Sequence, residues 1–310
     1  MVDLDFVMET ITTFVVTVYY IIEGMVKAVL PTKYLPKKNI AKEKVLVTGA
    51  GSGIGRALAI HLAKLDCELI LWDINEKGNE ETAEEIKKFD GVVHTYTVDL
   101  SRKDEIYSTA DKVKREVGDV NILVNNAGIV TGKRFLQCPD GLIEKSMSVN
   151  VMAHFWTTKA FLPSMLEKNH GHIVSIASSA GLVGVNGLAD YCASKFGAVG
   201  FMEALMLETK GKHKAVDFTV VCPYFINTGL FDGVVTRFPS ILPILETGYV
   251  VEKIVDAILT SQEALYIPRV IYILMAIKGL LPVKAGLLLQ RFFGTTTAMD
   301  EFKGRPVKLD

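Results

Sequence analysis

The sequence predicts an α/β fold, a single domain built on a doubly wound parallel sheet of about seven strands and preceded by an N-terminal membrane-anchoring helix. Three observations predict it. From Lys44 onward, short β-branched runs alternate with longer amphipathic stretches; the runs show little in-and-out alternation, as strands covered on both faces require; and a charge-free apolar run, Ile11 to Ile22, stands ahead of them all.

The apolar N-terminal region extends from Phe6 to Leu30. It opens on Asp3, Asp5 and Glu9 and ends in bulky residues, unlike a cleaved leader with its basic start and small-residue cleavage site, so it is expected to be retained. Glu9, Glu23 and Lys27 leave its strictly apolar core short of the roughly 20 residues that span a bilayer, and both a span and an interfacial anchor fit. Lys27, Lys33, Lys37 and Lys38 follow, which by the positive-inside tendency places the remainder in the cytosol. The expected division is residues 1–38 as anchor and basic linker and 39–310 as the α/β domain.

Seven strand candidates follow: KVLVTG from Lys44, ELILWD from Glu68, VHTYTVDL from Val93, NILVNNAG from Asn121, HIVSIAS from His172, FTVVCP from Phe218 and LYIP from Leu265. Helical stretches from Ile54 and from Glu76 to Phe89 separate the first three. Within 264–294, Arg269, Lys278, Lys284 and Arg291 punctuate an apolar region that either lies on a membrane or packs on the core. The charges nearly balance, with 34 Lys and Arg against 35 Asp and Glu, so no global field favours nucleic acid. Cys67, Cys138, Cys192 and Cys222 lie far apart and lack metal-ligand spacing; no metal is expected, and the thiols read as reduced core residues.

Ligands of such sheets bind at the C-terminal ends of the strands. There the first strand runs through Gly49-Ala50-Gly51-Ser52-Gly53-Ile54-Gly55 into a helix, an order that suits a pyrophosphate at the helix N-terminus. Asp73 ends the second strand, 18 residues past Gly55, where a carboxylate can accept the ribose hydroxyls. Ser52 and Ile74 add no cation for a 2′-phosphate, so NAD is expected over NADP. Asp99, ending the third strand, can meet an adenine edge, and the Asn125-Asn126-Ala127-Gly128 turn can line the same cofactor. Tyr191 and Lys195 lie one helical turn apart on one face. Tyr34 with Lys38 and Tyr249 with Lys253 share that spacing, but only Tyr191 follows a buried strand ending in serines.

TGAGSGIG, NNAG, the Asn of SVN, a Ser thirteen residues before Tyr191 and YCASK together resemble the short-chain dehydrogenase/reductase family, over Lys44 to about Ile267. LWDIN, NNAGIVTGK, HFWTTKAFLPSM and the anchor extend the likeness to its membrane-associated retinol and 17β-hydroxysteroid dehydrogenases. The resemblance implies a Rossmann-like domain and a reaction in which Tyr191 takes the substrate hydroxyl's proton while hydride passes to a nicotinamide. Lys195 then lowers the phenol's pKa, Ser178 binds the substrate oxygen, and Asn150 holds a relay water. Bringing a phenol from about 10 to neutrality costs roughly 4 kcal/mol, and an ammonium about 5 Å away contributes on the order of 3. The implied cofactor set is Gly49, Ser52, Gly53, Ile54, Gly55, Asp73, Asp99, Leu100, Asn126, Ala127, Gly128, Tyr191, Lys195, Pro223, Ile226 and Thr228, with Thr228 on the carboxamide. Tyr224 departs from the family's Pro-Gly stretch.

Val183, Val185, Phe231, Val234, Val235, Phe238 and Leu242, in the loops 182–188 and 225–245, suggest an apolar alcohol as substrate. Retinol oxidation is the leading expectation, with steroid or other lipid alcohols next, and a lipid-droplet surface protein of mainly structural role as the contrasting reading. Intact Tyr191, Lys195, Ser178 and Asn150 argue against that last reading. The resemblance also implies a homodimer formed through the helices after Asn150 and Tyr191, and a place on the endoplasmic reticulum membrane or the lipid droplet surface.

Overall fold

The computed structural model describes residues 4–304. By contacts the chain forms two compact units, 1–38 and 39–310. The first is essentially one helix, α1 (Leu4–Val29). Its 24-residue stretch Leu4–Lys27 is, among the described residues, the one helix long and apolar enough to cross a membrane.

The second unit alternates strand and helix. In order these are β1 (Lys44–Thr48), α2 (Gly53–Ala63), β2 (Glu68–Asp73), α3 (Glu76–Lys87), β3 (Val93–Thr97), α4 (Lys103–Glu116) and β4 (Ile122–Asn125). Next come α5 (Asp140–Met147), a π-helical turn (Ser148–Met152), α6 (Ala153–Lys168), β5 (Gly171–Ile176), α7 (Ala189–Lys210) and β6 (Val216–Pro223). The chain closes with α8 (Thr247–Leu259), β7 (Ala264–Ile267), α9 (Val270–Leu280) and α10 (Val283–Phe292). All seven strands pair in parallel, in the order β3-β2-β1-β4-β5-β6-β7. The chain therefore reverses direction across the sheet between β1 and β4, and the loops leaving their C-terminal ends diverge to open a crevice.

Period-two geometry explains why the strands read as continuous apolar runs. Val45, Val47, Leu69, Leu71, Val124 and Val174 face one buried layer, against α2, α3 and α8. Leu46, Ile70, Trp72, Leu123 and Ile173 face the other, against α4, α6 and α7. Local signals set the helix ends. Asn75 caps α3 by accepting from Gly78 N at 3.1 Å, and Asn169, in the left-handed region at φ 46°, ends α6.

One expected boundary moves. Asp99 lies two residues beyond β3 instead of ending it, because its carboxylate accepts from Ser101 N at 2.8 Å and its own amide donates to Glu105 at 3.0 Å, turning the chain toward α4.

Candidate active site

A cleft of about 280 Å³ lies over the C-terminal ends of the strands where the sheet reverses. Its floor is fixed by β1 and β4. The Thr48 hydroxyl accepts from the amides of Asn126 and Ala127 at 2.9 and 3.1 Å, and the Asn126 carboxamide donates to Thr48 O at 2.8 Å. A Cβ at position 55 would overlap Gly49 O and come within 2.6 Å of Asn126 Nδ2, so only glycine lets α2 start this close to β1. The first turn of α2 carries no acidic side chain, which leaves its positive end for an anion.

Asp73 marks one end of the cleft. Its Oδ2 accepts from Gly51 N and its Oδ1 from Asn75 N, each at 2.8 Å, which fixes the carboxylate beside the loop. Arg56, which the sequence reading passed over, lies behind that loop. Its guanidinium donates to Gly51 O at 2.7 Å, Gly78 O at 3.0 Å, Thr82 Oγ1 at 3.0 Å and Glu81 at 2.9 Å.

At the other end stand Tyr191 and Lys195 on α7 and Ser178 just after β5; Tyr191 and Lys195 are 4% and 3% exposed. Lys195 Nζ lies 5.7 Å from the Tyr191 ring centroid and donates to Ile176 O at 2.8 Å. Burial lowers the Lys195 ammonium to about 8. Burial also pushes the Tyr191 phenol up from its ordinary value, opposed by a hydrogen bond from Ser178.

Asn150 sits in the π-helical turn between α5 and α6 and is fully buried. Its carboxamide accepts from Ile129 N at 2.8 Å and donates to Ile129 O at 2.9 Å and Ser194 Oγ at 3.1 Å, a clasp joining the loop after β4 to α7. A Cβ on Gly128 would lie 3.4 Å from Asn150 Oδ1 and 3.5 Å from Lys195 Nζ, so the two flank one small space. Behind it, His154 Nδ1 pairs with Ser175 Oγ at 3.1 Å, and burial followed by the nearby Lys195 charge drops the imidazole to about 3.

The cleft brings together Gly49, Ser52, Gly53, Ile54, Asp73, Asp99, Leu100, Asn126, Ala127, Gly128, Ser178, Tyr191, Lys195, Pro223, Ile226 and Thr228. Gly55 and Asn150 stand behind its wall. Tyr224, at its departure from the Pro-Gly stretch, also lines it, as do Lys145 and Leu230, which occupy no recognisable motif and which nothing in their spacing pointed to. Tyr224 packs edge-on against Phe225 with centroids 4.7 Å apart, so the position where the family has glycine carries an aromatic wall. An uncluttered loop at a helix start, a carboxylate at one end and a buried hydroxyl pair at the other fit a dinucleotide.

The short chain dehydrogenase family model matches residues 43–237. Human epidermal retinol dehydrogenase 2 is 55% identical over 94% of this chain and 94% of its own. A metagenomic short-chain oxidoreductase solved with NADP is 27% identical with a TM-score of 0.62, covering 74% of this chain and 96% of that one. A short-chain dehydrogenase/reductase from Burkholderia phymatum solved with NAD, 24% identical, shares the fold with a TM-score of 0.71 over 87% of this chain and 99% of that one. The chain belongs to the short-chain dehydrogenase/reductase family and is an alcohol dehydrogenase dependent on a nicotinamide cofactor.

Proposed function

We propose that this protein oxidises a bulky apolar alcohol, retinol in the leading case, with NAD at a membrane surface. The observation that carries the reading is the position of Tyr191 and Ser178. Both line the dinucleotide cleft, and Ser178 also borders an adjoining pocket walled by Val183, Val185, Phe225 and Phe231. A carbinol held at these two hydroxyls would project an apolar body into that pocket. The likeness to epidermal retinol dehydrogenase 2 supports the substrate class.

The cofactor's phosphates would lie on the Gly49 to Gly55 loop, its ribose on Asp73, its adenine between Asp99 and Leu100, and its nicotinamide against Pro223, Ile226 and Thr228. The oxidised nicotinamide supplies, when bound, the hydride acceptor and a positive charge. Ser178 orients the alcohol oxygen, and Tyr191 takes its proton as the C–H electron pair leaves the carbinol carbon. Lys195 stabilises the phenolate, and Asn150 shapes the space beside Lys195 through which a water can relay the proton outward. NAD is favoured because Asp73 repels a 2′-phosphate and Arg56 is committed to four partners behind the loop.

The apolar length of α1 supports an anchor. On the α/β unit, α9 and α10 expose Ile273, Leu280, Val283 and Leu288, consistent with contact to lipid, on an endoplasmic reticulum or lipid droplet surface facing the cytosol. A homodimer through α6 and α7 is supported by exposed Met152, at the end of the π-helical turn that leads into α6, and by Phe196 and Leu207 of α7. Membrane-bound protein assayed with NAD and NADP against all-trans-retinol, estradiol and a long fatty alcohol tests the reading. Retinol turnover with NAD is expected, and silence on every apolar alcohol would refute it.

A further inference from the structure

Beside Tyr191 lies a third apolar cluster, distinct from the two sheet layers. It contains Val130, Leu188, Tyr191, Phe225 and Val234, and it is completed by Ala298 and Met299 from the chain's far end, with Phe302 packed on it. The segment 294–302 looks like a polar tail in sequence, yet Ala298 and Met299 are 6% and 8% exposed.

This segment is laced to the two loops that border the alcohol pocket. On one side Asn186 Nδ2 donates to Thr296 O at 2.7 Å. On the other, Val235 N donates to Ala298 O at 3.2 Å, and Lys303 N to Asp232 O at 2.9 Å. Arg134 approaches Asp300 at 3.7 Å from the loop after β4. Two glycines make room for it. At Gly132 (φ +63°) a side chain would overlap the Phe302 ring, and at Gly233 (φ +84°) it would overlap Glu301 O. Aromatic rings then step inward from the segment to the reacting hydroxyl: Phe302 to Phe231 at 6.4 Å, and Phe231 to Tyr191 at 5.7 Å, both edge-on. Thr295 and Ala298 line the pocket that Ser178 and Phe231 also border.

We propose that residues 294–302 form the roof of the alcohol site, with Ala298 setting how long or broad an apolar body fits beside Ser178 and Phe302 clamping the roof shut. This rests on the reading that the alcohol binds at Ser178 and Tyr191. Because Ala298 faces the pocket with only a methyl group, a larger residue there shortens the space without touching the reacting groups.

The test compares kcat/KM for all-trans-retinol and for a short alcohol, 3-methyl-2-buten-1-ol, in the full-length membrane-bound protein with NAD. Ala298→Phe is expected to lower the retinol value at least about tenfold relative to the short alcohol. Phe302→Ala is expected to raise KM for retinol and to speed protease cleavage within 294–302, with retinol plus NADH restoring protection. Should Ala298→Phe fold poorly by thermal melt, Ala298→Leu is read instead, with a shift in the same direction. An unchanged ratio in a folded Ala298 variant that turns over both alcohols, or cleavage in Phe302→Ala equal to wild type, overturns the roof while leaving the proposed function standing. Wild-type protein that oxidises neither alcohol removes both.

Discussion

The two ends of the cleft are made differently. The dinucleotide end is chiefly backbone: a loop, a helix start and two strand ends, drawn mostly from the contiguous stretch 44–128. The alcohol end is side chains, gathered from the loops after β4, β5 and β6 and from the segment 294–302. Backbone recognition needs glycines at fixed spacing and so leaves a compact mark in the sequence. Side-chain recognition needs only shape and apolarity, which many residues supply. The first end is therefore expected to tolerate little change and to bind one class of ligand, and the second to be where related chains diverge.

The comparison breaks first on Tyr191. Tyr191→Phe keeps the ring and its packing on Phe231 but removes the proton acceptor, so turnover is expected to fall by about 10³-fold or more while NADH affinity, read by fluorescence titration, stays within a few-fold. Comparable losses in both would show that the two ends are not separable.

Lys195 provides a measure of what burial at the alcohol end costs. Its ammonium is lowered to about 8 in the folded chain from 10.5, so below pH 8 the protonated, buried group opposes folding. Between those values the unfolded chain holds the proton more tightly, and this contribution to stability rises with pH. Lys195→Met is expected to be more stable than wild type at pH 7 by roughly 3 kcal/mol, from 1.36 kcal/mol per pKa unit, with the gap closing by pH 10.5 in urea titrations. A gap that does not narrow would mean the ammonium is stabilised by its surroundings.

At the dinucleotide end, Gly55→Ala forces α2 away from Gly49 and Asn126. A stability loss of about 1–3 kcal/mol is expected, together with a higher KM for NAD and an unaltered preference among alcohols. A change in alcohol preference would deny the division between the ends. The smallest effect is expected from Asp73→Ala, which removes a charge and its hydrogen bonds from Gly51 N and Asn75 N but leaves the loop's glycines and the Arg56 brace in place. The ratio of kcat/KM for NAD over NADP should drop by about tenfold, and no drop would shift the discrimination elsewhere in the cleft.

This division also explains what was legible in the sequence. The central strands could be read because they are rich in Val, Ile and Leu and buried on both faces, and Tyr191 and Lys195 because one helix carries both. Roles that depend on a distant partner were not legible. Arg56 is a loop brace only because α3 brings Gly78, Thr82 and Glu81 beside it. Asn150 could be placed by its motif, but its clasp on Ile129 needs the π-helical turn. The segment 294–302 lacks any period, since it follows the surface it covers, and so nothing marked it as part of a core.

The order of the strands also governs when the molecule can first work. β1 has β2 on one side, near in sequence, but β4 on the other, paired Val45 to Ile122, so about a quarter of the chain separates the two partners. Until β4 is synthesised, an emerging β1-β2-β3 unit carries a bare inner edge of Val45 to Val47, open to pairing with a neighbouring nascent chain. Inserting β4 closes that edge and brings Asn126 to Thr48 in the same event. Covering β1 and seating the loop after β4 against the glycine-loop strand thus arrive together, and the exposed edge passes outward to β4 until β5 pairs with it.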